Sequence, residues 1–357
     1  MASESSAHRL RCCFILVLPL LLIGVTGCVS GYTNLQHEVC DKATVGEDCF
    51  VEVDSRTIHY VRAGSGQPLI LIPGAFSTYR TWDRMIPELS LRFEVLALDY
   101  VGTGDSDKPA EGFDYSVESQ ATMVAGLIRK LGLPPVRIIG VSYGSAIALN
   151  IACRFPELVD RIACIEGGAL IQPGELGYSG AGVFLGIRST CETFLAVMRC
   201  GLFYESIARA VMEDGWDNLS EEEKAQVTEI MASGIRTSCG VAWMGIYEAI
   251  TSRIDFTAAA AGMKVPVIYL YGESSRYLEV ARTNADFLAN NLPHVEIASV
   301  EGGIHDLQLQ FPQQVTQAIF QSWGMESGAV ASREVEEGAP PSATNPAGTV
   351  RMSNPVK

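Results

Sequence analysis

The stretch Val136-Arg-Ile-Ile-Gly-Val-Ser-Tyr-Gly-Ser-Ala-Ile-Ala-Leu-Asn-Ile-Ala-Cys153 decides the fold of this chain. Its first six residues are mostly apolar and β-branched, which is typical of a buried strand. Gly140-Val-Ser142-Tyr-Gly144 overlaps the end of that strand, and small and apolar residues follow at helical spacing. A strand, a G-x-S-x-G turn and a helix in this order predict a nucleophile elbow, which exposes the serine hydroxyl. Side chains at the two glycines would collide with the flanking strand and helix.

Strands and helices alternate along most of the chain, which predicts a mostly parallel sheet with helices on both faces. Two early strands, 49–53 and 57–62, are expected to form a hairpin that carries His59 on its surface. The alternation stops between residues 167 and 255, where helical stretches concentrate aromatic and methionine side chains. An insertion of this kind in an α/β sheet predicts a helical cap.

These changes of pattern divide the 357 residues into six segments. Residues 325–357 are rich in Pro, Ser, Ala, Gly and Glu, which is typical of a disordered tail. The expected segments are a signal peptide (1–27), a tether (28–47), the first part of the core (48–166), the cap (167–255), the second part of the core (256–324) and the tail (325–357).

The N-terminus resembles the signal of bacterial lipoproteins. A basic start at 8–11 precedes an apolar run at 14–24 that is too short to span a bilayer comfortably. Val25-Thr-Gly-Cys28 then resembles a lipobox, which implies cleavage before Cys28 and lipid on its sulfur. We therefore expect an exported lipoprotein, anchored to a membrane in the cell envelope or periplasm. An ordinary secretory peptide cut near Gly27, or an uncleaved anchor, is the alternative.

The charge and the cysteine content of the chain limit the partners and the compartment that we expect. The net charge of −15 and the lack of a basic cluster argue against nucleic acid or an anionic membrane surface as the main partner. Cys40 and Cys49 flank a short polar loop and are disulfide candidates in an oxidising compartment. No spacing of residues indicates a metal site, and we expect no cofactor. The sequence leaves the oligomeric state open.

A nucleophilic serine needs a base within hydrogen-bond reach and an acid to orient that base. The chain has five histidines. His305 follows a strand and a Gly-Gly turn downstream of Ser142, and this order favours it as the base. The others lie in the signal, the tether, an early strand and a Leu-Pro-His turn.

Four stretches together resemble the α/β-hydrolase family, in particular its capped group of esterases, haloalkane dehalogenases and epoxide hydrolases. The resemblance covers residues 48–324 and implies a mostly parallel sheet of eight strands with a helical cap. The stretches are Ile72-Pro-Gly-Ala-Phe76 with Trp82, the loop Asp99–Pro109, Gly140–Gly144 and Gly303-Ile-His305.

The resemblance also implies roles for individual residues. The backbone N–H groups of Tyr143 and of either Ala75 or Phe76 would form the oxyanion hole. Asp99 would brace the floor of the site as a structural residue. One departure is Pro73-Gly74, where the family usually has His-Gly.

The acid is the second departure, because Gly272-Glu-Ser-Ser275 replaces the Gly-x-x-Asp that is common in the family. A subset of haloalkane dehalogenases carries its acid one strand earlier, and Arg161-Ile-Ala-Cys-Ile-Glu166 is similar to that stretch. We therefore predict Glu166 as the acid. Glu273 and Asp306 are the alternatives, and a purely structural role for Glu166 also stays open.

These residues predict a serine hydrolase that cleaves an ester or related acyl bond of a small molecule with an apolar acyl group. The reaction would proceed through an acyl-enzyme. A serine nucleophile counts against dehalogenase and epoxide hydrolase chemistry, for which related enzymes use aspartate. A carbon–carbon bond hydrolase or an iminopeptidase of the same framework stays open. The rival from another class is a binding lipoprotein that has kept the scaffold and lost catalysis.

Overall fold

The structure of the chain is a computed structural model, and it describes residues 42–173, 188–325 and 349–353. The predicted signal peptide, the predicted lipidation site Cys28 and the disulfide candidate Cys40 lie outside the described residues. Most of the predicted tail also lies outside them. The remaining disulfide candidate, Cys49, is a free thiol.

The strands alternate with helices over most of the described chain. They are β1 (Glu47–Val53), β2 (Arg56–Gly64), β3 (Gln67–Ile72), β4 (Phe93–Asp99), β5 (Val136–Val141), β6 (Val159–Ile165), β7 (Leu170–Ile171), β8 (Ile254–Asp255), β9 (Val267–Gly272), β10 (Val295–Val300) and β11 (Val350–Ser353). Nine of them form one sheet in the order β1-β2-β4-β3-β5-β6-β9-β10-β11. Neighbours from β4 to β10 pair in parallel, and the pairs at the two edges are antiparallel.

Helices cover both faces of this sheet. They are α1 (Ile86–Leu89), α2 (Val117–Lys130), α3 (Tyr143–Arg154), α4 (Arg188–Met198), α5 (Tyr204–Met212), α6 (Glu221–Thr237), α7 (Gly240–Thr251), α8 (Thr257–Ala260), α9 (Leu278–Asn291), α10 (Leu307–Gln310) and α11 (Pro312–Ser322). Ile138 of β5 packs in the core on the side of α2, α3 and α9. Ile139 packs on the side of α1, α10 and α11. Because both faces of β5 are buried, its sequence is apolar on both, and the predicted α/β fold is confirmed.

The C-terminal segment corrects two predictions. Residues 350–353 form β11, so the prediction of a disordered tail is wrong for this segment and the sheet has nine strands instead of eight. Val350 and Met352 pack, half-buried, against the core. Arg351 lies 2.7 Å from Glu301 across the edge. Four residues are too few to show an alternation of apolar and polar side chains. The sequence therefore could not predict this strand, which forms by pairing with β10.

The chain leaves the sheet between β6 and β9. There β7 and β8 pair antiparallel, and α4 to α7 lie between them in the sequence. We refer to residues 188–251 as the helical insertion. A capping box begins α6, because Ser220 and Glu223 exchange both side-chain-to-backbone hydrogen bonds. In the described ranges, no helix is long and apolar enough to cross a membrane.

Candidate active site

Ser142 lies on the turn between β5 and α3, with a φ of 53° and a ψ of −118°. A positive φ is costly for a residue with a side chain, so tight surroundings must hold it. A Cβ atom at Gly140 would lie 2.5 Å from the Gly144 carbonyl carbon, and one at Gly144 would lie 2.2 Å from the Ile72 oxygen. The elbow therefore needs both glycines, for the steric reason that the sequence predicted.

His305 and Glu166 meet at the carboxyl ends of the parallel strands. His305 Nδ1 lies 2.7 Å from Glu166 Oε2. The Glu166 carboxylate is fully buried, and it also accepts hydrogen bonds from the Gly272 N–H at 2.7 Å and the Ser275 hydroxyl at 2.8 Å. Two donors from the end of β9 and the loop after it therefore hold this carboxylate against the ring.

The two carboxylates that the sequence left open as alternatives for the acid have other partners. Glu273 accepts a hydrogen bond from the Ser299 hydroxyl at 2.8 Å and lies 3.6 Å from Arg351. Asp306 accepts one from the Gln308 amide at 2.9 Å. Among the carboxylates considered from the sequence, Glu166 is the one in contact with Nδ1 of His305.

Burial and the carboxylate act in opposite directions on His305. Burial lowers the pKa of the ring, but the hydrogen bond and the negative charge of Glu166 outweigh it, so the pKa is raised above its usual range. The ring is 18% exposed, and Tyr277 packs edge-on against it with the ring centroids 4.9 Å apart. A base of this kind is protonated more readily than a free histidine.

The residues whose backbone N–H groups were predicted to hold an oxyanion are a neighbour of Ser142 in sequence and two residues that line its cavity. Tyr143 is the first residue of α3, where backbone N–H groups have no partner within the helix. Ala75 and Phe76 line the same cavity as Ser142. The Tyr100 phenol donates a hydrogen bond to the Gly74 carbonyl at 2.9 Å, which holds the start of this loop. Ala75 and Phe76 both stay candidates for the second donor.

A cavity of about 350 Å³ joins these groups. Ser142, Glu166 and His305 line its floor, and Arg276 and Glu213 form an ion pair of 2.8 Å in its wall. The helical insertion contributes most of the apolar wall. Its lining side chains are Phe194, Met198, Ile207, Val211, Ile230, Met231, Ile235, Trp243 and Ile250.

The sequence did not show which apolar residues of the insertion face the cavity. Trp243 stacks on Phe76 with the ring centroids 4.4 Å apart, which connects the insertion to the predicted oxyanion loop. Trp216 instead packs in a separate cluster with Ile304 and Leu309 of the core. Composition alone cannot separate these roles, since both groups of residues are apolar and helical.

Asp99 has the structural role that the sequence predicted. It accepts hydrogen bonds from the Tyr79 N–H at 2.8 Å and the Asp105 N–H at 3.0 Å. The prediction of a surface position for His59 is wrong, because that ring is fully buried and lies 2.7 Å from Asp99. The register of β2 and β4 places His59 opposite Asp99, and β1 covers it with Asp48.

Comparisons with known proteins bear on the family and the fold of the chain. A family model described as alpha/beta hydrolase fold matches residues 67–182. An uncharacterized protein of Mycobacterium tuberculosis (strain ATCC 25618 / H37Rv) is 35% identical over 263 residues, covering 70% of this chain and 74% of that protein. A soluble epoxide hydrolase of Corynebacterium sp. (strain C12) is 38% identical over 114 residues, covering 32% of this chain and 39% of that protein.

The fold of this chain is also similar to that of a solved structure. The crystal structure of a hydrolase from Pseudomonas aeruginosa PA01 has a TM-score of 0.63 at 17% identity, covering 78% of this chain and 99% of that one. The chain belongs to the α/β-hydrolase fold family. The similarities support hydrolase activity. In the described ranges, no group of His, Cys, Asp and Glu side chains could hold a metal ion.

Proposed function

We propose that this protein is a serine hydrolase that cleaves an ester or related acyl bond through Ser142, His305 and Glu166. The observation that carries the proposal is the 2.7 Å contact between His305 Nδ1 and Glu166 Oε2, in one cavity with a serine on a strained turn. With Nδ1 on the carboxylate, Nε2 is the ring nitrogen that takes the serine proton.

The reaction begins when Ser142 Oγ attacks the substrate carbonyl carbon and its proton passes to His305 Nε2. The carbonyl oxygen becomes an oxyanion that the N–H groups of Tyr143 and of either Ala75 or Phe76 stabilise. Collapse of this intermediate breaks the acyl bond, and His305 gives its proton to the leaving group. Water then attacks the acyl-serine with His305 again as base, which releases the acid and restores Ser142.

The cavity favours a neutral, apolar acyl group. Its wall is formed mainly by aliphatic and aromatic side chains of the helical insertion. The charged groups on its surface are the carboxylates of Glu166, Glu213 and Asp306 and the guanidinium of Arg276, which Glu213 already pairs. An anionic substrate would meet an excess of negative charge there, so we propose medium-chain esters over multiply charged ones.

The helical insertion supports a place in the capped group of the family, because it lies over the nucleophile and supplies the cavity wall.

We further propose that Cys28 carries a lipid that anchors the exported protein to a membrane. The basis is the short apolar run that ends in Val-Thr-Gly-Cys28. Wild-type protein should partition into detergent with an increased mass, and Cys28→Ser should not. Wild-type protein that is soluble and unmodified at residue 28 would refute the anchor.

The test of the catalytic proposal is labelling by a fluorophosphonate probe, which requires an activated serine. We expect wild-type protein to be labelled and Ser142→Ala to stay unlabelled, with a known esterase as positive control. The same pair is then compared on p-nitrophenyl esters of increasing chain length. Folded wild-type protein that resists the probe would favour the binding lipoprotein. A preference for anionic substrates would contradict the apolar pocket.

A further inference from the structure

One oxygen of Glu166 receives two hydrogen bonds. His305 Nδ1 lies 2.7 Å from Oε2, and the Ser275 hydroxyl lies 2.8 Å from the same atom. Ser275 is 7% exposed, and its oxygen also accepts the Tyr277 N–H at 3.1 Å. A hydroxyl has one proton to donate, so accepting from Tyr277 leaves that proton for Glu166.

The loop that carries Ser275 is tied to the loop that carries His305. The N–H of Glu273 donates to the Val300 carbonyl at 3.0 Å, and the N–H of Ser274 donates to the Gly303 carbonyl at 2.8 Å. A Cβ atom at Gly272 would lie 2.2 Å from the Gly303 oxygen, so the two loops pack as closely as backbone allows. Ser275 and His305 therefore keep a constant separation.

We propose that Ser275 is a positioning residue that holds the Glu166 carboxylate against His305. The Ser275 oxygen and His305 Nδ1 contact one common atom, so they lie within two hydrogen-bond lengths of each other. This inference rests on the proposed triad.

The positioning role is tested with Ser275→Ala and Ser275→Thr. The alanine variant leaves Glu166 with one donor fewer, and we expect kcat to fall about tenfold, as for a lost hydrogen bond to a charged group. KM should stay unchanged, because Ser275 is not among the described residues that line the cavity. Threonine keeps the hydroxyl and should restore kcat.

Two controls frame this pair. Glu166→Gln should lose most activity, because Ser275 acts through that carboxylate. Ser274→Ala should match wild type, since that neighbouring side chain is exposed. Esterase kinetics on p-nitrophenyl butyrate and a thermal melt are recorded for every variant.

The outcomes separate the inference from the proposed function. A lowered kcat in Ser275→Ala, with Ser275→Thr and Ser274→Ala near wild type, supports the positioning role. If Ser275→Ala matches wild type, or Ser275→Thr is as slow as Ser275→Ala, the positioning role is wrong. Full activity of Glu166→Gln would overturn the triad assignment itself.

Discussion

Two histidine–carboxylate pairs of the same geometry lie at different places in the sheet. His305 meets Glu166 and His59 meets Asp99, each with Nδ1 2.7 Å from a carboxylate oxygen. The pKa of each ring is raised, because carboxylates outweigh the lowering effect of burial. The pairs differ in their surroundings. His305 is 18% exposed and lines the cavity with Ser142, whereas His59 is fully buried.

The difference lies in the second nitrogen of each ring. Nε2 of His59 lies 3.1 Å from Asp48, so both nitrogens of that ring are engaged by carboxylates. In the proposed mechanism, Nε2 of His305 takes the proton of a serine in the same cavity. In that proposal, His305 can serve as a base because one of its ring nitrogens is left for a reacting group. His59 instead joins three strands of the sheet, because it lies on β2 and contacts Asp99 of β4 and Asp48 of β1.

Removing the charge of Glu166 should give the largest effect. Glu166→Gln keeps the shape of the side chain, and we expect kcat to fall about 10³- to 10⁴-fold, as when the acid of a triad is neutralised. Single-turnover and steady-state rates on a p-nitrophenyl ester measure the loss. Thermal melting should show that the variant is folded. Near wild-type activity, together with collapse of Glu273→Gln, would place the acid on the later loop.

Asp99→Asn should act on stability instead. Removing one partner of a buried pair leaves His59 with one carboxylate fewer, and we expect a loss of about 3 kcal/mol in the free energy of unfolding. Urea denaturation measures that change. The activity per folded molecule should change little, because neither residue is among those that line the cavity. A large fall in kcat with unchanged stability would reverse the roles of the two pairs.

Rising pH should increase the activity through His305 and decrease the stability of the fold through His59. His305 acts as a base only when neutral, so kcat/KM should rise with pH through a midpoint above the usual value of about 6.5. His59 stabilises the fold when charged. Its contribution is complete below about pH 6.5 and is lost as pH rises through the raised pKa of the folded state.

A pH profile of kcat/KM and thermal melts across the same range test this contrast. Glu166→Gln is the control for the first, because without the carboxylate charge the midpoint of residual activity should move down. His59→Gln is the control for the second and should flatten the alkaline loss of stability. A wild-type midpoint below about 6.5 would contradict the effect of Glu166 on His305.

Deleting residues 349–357 should give the smallest effect. The deletion removes the pairing of β11 with β10 and the partial burial of Val350 and Met352, for an expected loss of about 1 kcal/mol. Arg351→Ala isolates the ion pairs with Glu273 and Glu301. Thermal melts compare the two variants. A deletion without effect would show that the strand adds nothing to the stability of the sheet.

The sequence predicted the parts of the site that depend on local geometry. The elbow needs glycine at 140 and 144 because the clashing atoms lie within a few residues or on the next strand. His305 was identified by its place after a strand and a Gly-Gly turn. Glu166 was predicted from a resemblance, and the residues alone left Glu273 and Asp306 open. The pattern was also wrong for His59, since alternation in a hairpin cannot show what covers its face.

The sequence by itself determined the α/β fold, the elbow and the order of its functional residues, because these follow from short-range sterics and from apolar periodicity. The tertiary structure alone decided which carboxylate contacts His305, which face of β2 is buried, and that residues 350–353 join the sheet. It also decided which side chains of the insertion line the cavity. Each of these depends on contacts between segments far apart in the chain, and no local pattern specifies such contacts.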